Sequence, residues 1–244
     1  MRLGRLPHDP AAVARVPSLA RHPFASMPVP PSLDRSRIDF TPGLYKNNEL
    51  PDCTAAGLAN SASAVAAVSG FGMAINPDLV PSFYAGCVQC EPTLEAMAAT
   101  DGAAMLDVLV RQSREGFDVG QEAPLVARFG RLAPASFALA GAMARLRHCY
   151  LGIRLYEADM EMPNVWDIGP SDGSLIGRHC VVGWDYTGLA SQSTVRLATW
   201  GRWQPATWRW LISRLDEAYA LVWAPAPEGV DVSALDVDLA SLTT

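Results

Sequence analysis

The hydrophobic period of this chain changes near residue 148, and that change limits its fold more than any other feature. Before it, apolar residues recur at helical spacing. Ala55, Leu58, Ala59, Ala62, Val65, Ala66 and Val68 predict a helix over 53–69, with Asp52 or Thr54 capping its start and Gly70 ending it. Further helices are predicted over 103–114 and 135–147, separated from the first by a loop-like stretch, 71–102, that holds Pro77, Pro81 and Pro92. After residue 148 the pattern turns to strands over 149–156, 179–186, 193–199 and 218–223, with a turn at Thr187-Gly188 and a short helix over 208–215. Helices first and strands second predict an α+β fold rather than alternating α/β units.

The segment 1–39 stands apart: it carries Pro7, Pro10, Pro17, Pro23, Pro28, Pro30 and Pro31 and no sustained period. Such a segment cannot build a core, so it reads as an extended arm lying on the body or on a partner. The body is expected over 40–224, helical over 40–147 and sheet-forming over 148–224, with an acidic tail over 225–244. A formal net charge of −6 argues against a general nucleic-acid binder, whose affinity comes from surplus positive charge. No apolar run has the length of a membrane span or follows the pattern of a secretory signal, so neither is expected. Five cysteines, Cys53, Cys87, Cys90, Cys149 and Cys180, are an odd number and fit a reducing compartment.

Chemistry points to Cys53. It falls where a loop ends and the first helix begins, and the unpaired amides of a helix start favour a thiolate, the form that attacks. The plainer alternative is a small buried apolar residue. His179, at the start of a strand, supplies an imidazole late in the chain; an early cysteine with a distant late histidine is the order of cysteine peptidases. There the imidazole takes the thiol proton and returns it to the leaving amine. Cys87-Val-Gln-Cys90 has metal-ligand spacing but no further ligands beside it, and reads as thiols near a core. No cofactor or metal is expected.

Three segments resemble the papain-like cysteine peptidase family: Asn47-Asn48-Glu49-Leu50-Pro51-Asp52-Cys53, His179-Cys180-Val181-Val182-Gly183-Trp184-Asp185 and Thr199-Trp200-Gly201. Asp101-Gly102 resembles the glycine pair before the family's second helix. The resemblance implies a papain-like fold in which Cys53 is the nucleophile and His179 the base. It also implies that Asn47 stands at the oxyanion-hole position, that Thr199 orients the imidazole and that Trp200 shields that contact. The chain departs from the pattern at Thr199, where the family has asparagine, at Pro51, at Thr54 after the cysteine, and at Arg178 before the histidine.

Leu3-Gly4-Arg5-Leu6-Pro7 and Asp216-Glu217-Ala218-Tyr219-Ala220 are similar to segments of papain-like proteins encoded by tailed phages. That likeness implies a head-associated decoration or cement protein in the virion or host cytoplasm, its arm clasping the major capsid protein or other virion subunits. The alternative is an active thiol peptidase or amidase that uses Cys53 and His179 on a peptide substrate. A third reading, a pro-segment lying in the cleft, ranks below these because the arm is short.

Overall fold

A computed structural model describes residues 2–7, 9–21, 27–70, 73–162 and 164–224; the acidic tail expected over 225–244 lies outside them. The chain opens with α1 (Pro10–Arg15), begun by Asp9, whose side chain accepts from the Ala11 amide. The arm is therefore not uniformly extended. Ala12, Val13, Val16 and Leu19 are buried against the body, which offsets the cost of ordering it.

The centre of the molecule is α2 (Cys53–Ser69). Its run of small residues is buried nearly all round, as a helix in the middle of a core must be. Gly70 ends it at φ +72°, the left-handed conformation that glycine adopts without penalty. Neither expected cap operates: Asp52 makes no capping bond, and the buried Thr54 hydroxyl has no hydrogen-bond partner. The stretch 71–102 is not a loop, for it holds α3 (Leu79–Val88) and α4 (Leu94–Ala98). Pro81 sits in the first turn of α3, where its missing N–H costs no helical bond. Then come α5 (Met105–Glu115), β1 (Ala127–Arg131), α6 (Ser136–Leu146), β2 (Cys149–Tyr156) and α7 (Glu157–Met160). The chain continues with β3 (Leu175–Tyr186), β4 (Thr194–Thr199), β5 (Arg202–Thr207), α8 (Trp208–Arg214) and β6 (Leu215–Trp223).

The six strands form one antiparallel sheet in the order β1-β6-β2-β3-β4-β5, so β1, from the half expected to be helical, joins it at one edge. Side chains alternate across the sheet. Tyr150, Cys180, Val182, Tyr219 and Leu221 face the core with α2, α3 and α5. Leu151, Ile153, Val181, Ala220 and Val222 face a second core with α6 and α8. Arg35 locks the arm to this second layer, donating to Trp184 O (2.8 Å), Met143 O (2.7 Å) and Arg147 O. Among the described residues, no helix is long and apolar enough to cross a membrane.

The approach of α2 to β3 depends on Gly57. A Cβ there would lie 2.7 Å from Cys180 Sγ and 2.9 Å from Tyr150 Cε2. Gly57→Val should therefore cost about 1–3 kcal/mol, read as a lower urea midpoint. A midpoint equal to that of the wild type would contradict this packing.

Candidate active site

Cys53 is the first residue of α2, and the loop before it is built rigidly. Asn60 of the helix accepts from the Gly43 amide (2.7 Å) and donates to Gly43 O (3.0 Å) and Ala56 O (2.9 Å). Tyr45 and Lys46 follow with φ of 51° and 67°, uncommon for residues with side chains and a mark of local strain. Asn47 is buried, and its amide donates to Leu50 O (3.2 Å) and Asp52 Oδ1 (3.0 Å). Both of its hydrogens are thus committed within the loop, where they brace the cysteine's approach. Asp52 is buried, and its second oxygen, Oδ2, has no hydrogen-bond partner.

His179 is buried and is the fifth residue of β3, which begins at Leu175 rather than at His179. Its Nε2 is 2.6 Å from Thr199 Oγ1 at the end of β4, so the hydroxyl reaches the ring despite lacking an amide oxygen. The β4–β5 hairpin turns on two residues, Trp200 (φ 46°) and Gly201 (φ 70°), the pair of positive φ values that a type I′ turn requires. That turn lays the Trp200 indole on the imidazole, ring centres 4.3 Å apart and planes 19° apart. His179 Nδ1 has no partner. The tautomer that leaves it basic carries the ring proton on Nε2, donated to Thr199. Cys180, the next residue, directs its backbone amide at the Cys53 thiol, so the loop–helix side and the strand side of the site meet at the sulfur.

The N-terminal segment runs through this meeting point. The Arg2 amide donates to Asn47 O (3.2 Å) and the Arg5 amide to Arg178 O (3.4 Å). Ala103 donates to Gly4 O (2.9 Å) and accepts from the Leu6 amide (3.1 Å), a parallel bridge around Arg5. Gly4 is pressed between two walls. A Cβ on it would lie 1.8 Å from Pro51 O, and a Cβ on Gly102 (φ +113°) would lie 1.8 Å from Gly4 O. The Gly4 amide, like that of Cys180, points at the Cys53 sulfur. The Arg5 guanidinium pairs with Asp216 and Glu217 of β6 and is fully buried. The Arg178 guanidinium is turned to Asp216 (3.2 Å).

Burial sets the charges. It pushes the Cys53 thiol up to about 12, against the pull of the Cys180 and Gly4 amides. It drives the His179 imidazole down to about 3, and the Arg5 charge adds to the shift. Closed in this way, the site holds a neutral thiol and a neutral imidazole. Gly4, Arg5, Asp52, Asp216 and Glu217 were not marked as site residues by sequence reasoning; the two motifs at opposite ends of the chain that contain four of them are in contact here. Among the described residues, no group of three or more His, Cys, Asp or Glu side chains is gathered as a metal ion needs.

Burial also raises the Asp52 carboxyl to about 7. The folded chain therefore keeps a proton there that the unfolded chain sheds near pH 4. Stability from this group is present below that pH and lost as pH rises through 7. Asp52→Asn keeps the acceptor for Asn47 and removes the ionisation. Its urea midpoint should fall less than that of the wild type between pH 5 and pH 8, and a parallel fall would contradict the assignment.

No protein-family model and no curated protein matches the chain. Solved structures do. Xylellain, a cysteine protease from Xylella fastidiosa, aligns over 90% of this chain and 95% of its own at 14% identity and a TM-score of 0.68. The proCathepsin B S9 of Trypanosoma congolense aligns over 93% of this chain and 87% of its own, at 11% identity and 0.57. Digestive procathepsin L 3 from the larval midgut of Tenebrio molitor aligns over 86% of this chain and 77% of its own, at 13% identity and 0.57. At these identities the likeness is one of architecture, and the chain has the α+β fold of the papain-like cysteine proteases.

Proposed function

We propose that the chain is a thiol peptidase of the papain-like kind, held closed by its own N-terminal segment. The observation that carries this reading is the seat of Gly4 against Pro51 and beside the Cys53 thiol, with Arg5 buried on Asp216 and Glu217. The segment's backbone already lies beside the thiol, and the group it turns to the sulfur is an amide N–H, which the thiol cannot attack. Two of the similar structures named above are a proCathepsin B and a procathepsin L 3, which agrees with reading the segment as a pro-segment.

In the proposed reaction the segment leaves first. Removing Gly4 and Arg5 rehydrates both groups and removes a cation from beside the imidazole. The His179 pKa then rises and the Cys53 pKa falls, toward a thiolate–imidazolium pair. The Cys53 proton passes to His179 Nδ1 while the sulfur bonds to the substrate carbonyl carbon. With Asn47 committed inside its loop, the developing oxyanion would take first-turn amides of α2, which have no partners within the helix. The carbon–nitrogen bond breaks as the imidazolium protonates the departing amine. Water then hydrolyses the thioester, releasing the acid and restoring the thiol. Thr199 and Trp200 hold the ring in place throughout.

A virion role, with the arm clasping capsid subunits, draws no support from these proteases. The described part of the arm packs on its own body instead.

Full-length Gly4→Val places a side chain against Pro51 O and should unseat the segment. At pH 7 we expect Cys53 alkylation by iodoacetamide at least about ten-fold faster than in the wild type. Peptide hydrolysis should appear with it and fall by about 10²–10⁴ when His179→Ala is added. A displaced segment with an inert Cys53 and no hydrolysis would sink the peptidase reading.

A further inference from the structure

Cys180 is a buried thiol that the proposed reaction does not use. Its backbone amide hydrogen-bonds the Cys53 sulfur, so only three covalent bonds separate the nitrogen at that sulfur from Cys180 Sγ. The side chain of Cys180 belongs to the same core as Cys53 and α2. A Cβ on Gly57 would lie 2.7 Å from Cys180 Sγ, and Gly57 is one helical turn beyond Cys53, on the same face of α2. The Cα–Cβ bonds of a helix tilt toward its start, so the second sulfur occupies the space that a side chain at Gly57 would extend into, on the side of Cys53. The Cys180 thiol also meets the Tyr150 hydroxyl, which donates to the carbonyl of Thr54, the residue after Cys53 (2.7 Å). Cys149 belongs instead to the second core, on the opposite face of the sheet, and Cys87 to α3.

We infer that Cys53 and Cys180 form a reversible disulfide when a peroxide reaches the opened site, an oxidative off-switch for the thiol. The inference goes beyond the proposed peptidase function and rests on it for one step, the departure of the segment that exposes Cys53. The Cys53 thiolate first attacks the peroxide. A sulfur–oxygen bond forms, the oxygen–oxygen bond breaks, and the departing oxygen takes up a proton and leaves as water. The Cys180 sulfur then bonds to the Cys53 sulfur. The sulfur–oxygen bond breaks, and the Cys180 proton leaves with that oxygen as a second water. The two sulfurs give up two electrons, which the peroxide accepts, and a dithiol returns both to thiols. The two residues have separate tasks. Opening wets Cys53, the thiol that is oxidised, whereas Cys180 stays packed on Gly57 and Tyr150 and resolves it. A second thiol held this near stops the oxidation at a stage that can be reversed, before the sulfinic acid.

The test reads thiols rather than hydrolysis. In full-length Gly4→Val/Cys87→Ala/Cys90→Ala protein, Cys53 is the one thiol of tryptic peptide 47–111 and Cys180 the one thiol of peptide 179–196. Arg5→Ala in place of Gly4→Val gives up the ion pairs of the segment and is a second way to open the site. Hydrogen peroxide is raised until Cys53 no longer alkylates, and the digest is read by mass spectrometry. The two peptides should be found joined in at least about ten-fold excess over sulfinic or sulfonic Cys53, and dithiothreitol should restore alkylation. Adding Cys180→Ala should reverse that ratio and abolish the recovery. Sulfinic Cys53 beside an unmodified Cys180 would overturn the inference, and so would two thiols that survive the peroxide in both opened proteins. The peptidase reading fails separately. A joined pair in a chain that hydrolyses no peptide leaves the thiol switch standing, whereas hydrolysis by a chain whose Cys53 passes straight to the sulfinic acid leaves the peptidase standing and removes the switch.

Discussion

Gly4 lies between the Pro51 carbonyl and Gly102 with no room for a side chain on either glycine, and the closed state of the site follows from that approach. The backbone can come this near only because both positions lack a Cβ and because Gly102 adopts φ +113°. Once there, the segment bonds its backbone to Asn47, Ala103 and Arg178 and pairs the Arg5 guanidinium with Asp216 and Glu217, while the buried Arg5 Nε has no partner. A loosely held arm would leave Cys53 and His179 wet and nearer their ordinary pKa values. A tightly held one dries them, and that drying, the largest cause in both, raises the thiol and lowers the imidazole.

The same seat explains why the body tolerates unusual features around the cleft. Strain at Tyr45, Lys46 and Trp200, and the unpartnered Asp52 Oδ2 and His179 Nδ1, all cost free energy in a resting fold. They are held in place by rigid surroundings: Asn60 on the loop side and the β4–β5 hairpin on the strand side. Features that cost stability and are over-determined by their neighbours agree with the reaction site proposed above.

Much of the fold is legible in the sequence wherever one physical signal dominates. The run of small apolar residues ended by Gly70 identifies α2, alternation identifies β4, and runs rich in aromatic and aliphatic residues identify β2, β6 and much of β3. Elements that the sequence hides share a cause. The α3 helix carries Pro81 in its first turn, which reads as a loop although a proline fits there. At the sheet's ends, β1 contains Gly130 and β5 contains Pro205, residues that weaken a strand signal but are tolerated on an edge. At the candidate site, chain order points to Cys53 and His179, and the family resemblance to Thr199 and Asn47. The commitment of Asn47 to its loop has no sequence signal, since only geometry shows where its two hydrogens go. The pairing of Arg5 with Asp216 and Glu217 joins opposite ends of the chain, and no local pattern encodes it.

Amide hydrogen exchange at Ala103 and Leu6 in the full-length protein tests the closed seat most directly, because both amides are bonded across the bridge between the segment and the body. With the segment in the groove, both should exchange far more slowly than free-loop amides and should lose that protection in Gly4→Val. Exchange at free-loop rates in the wild type would mean that residues 2–6 do not occupy the groove at Cys53.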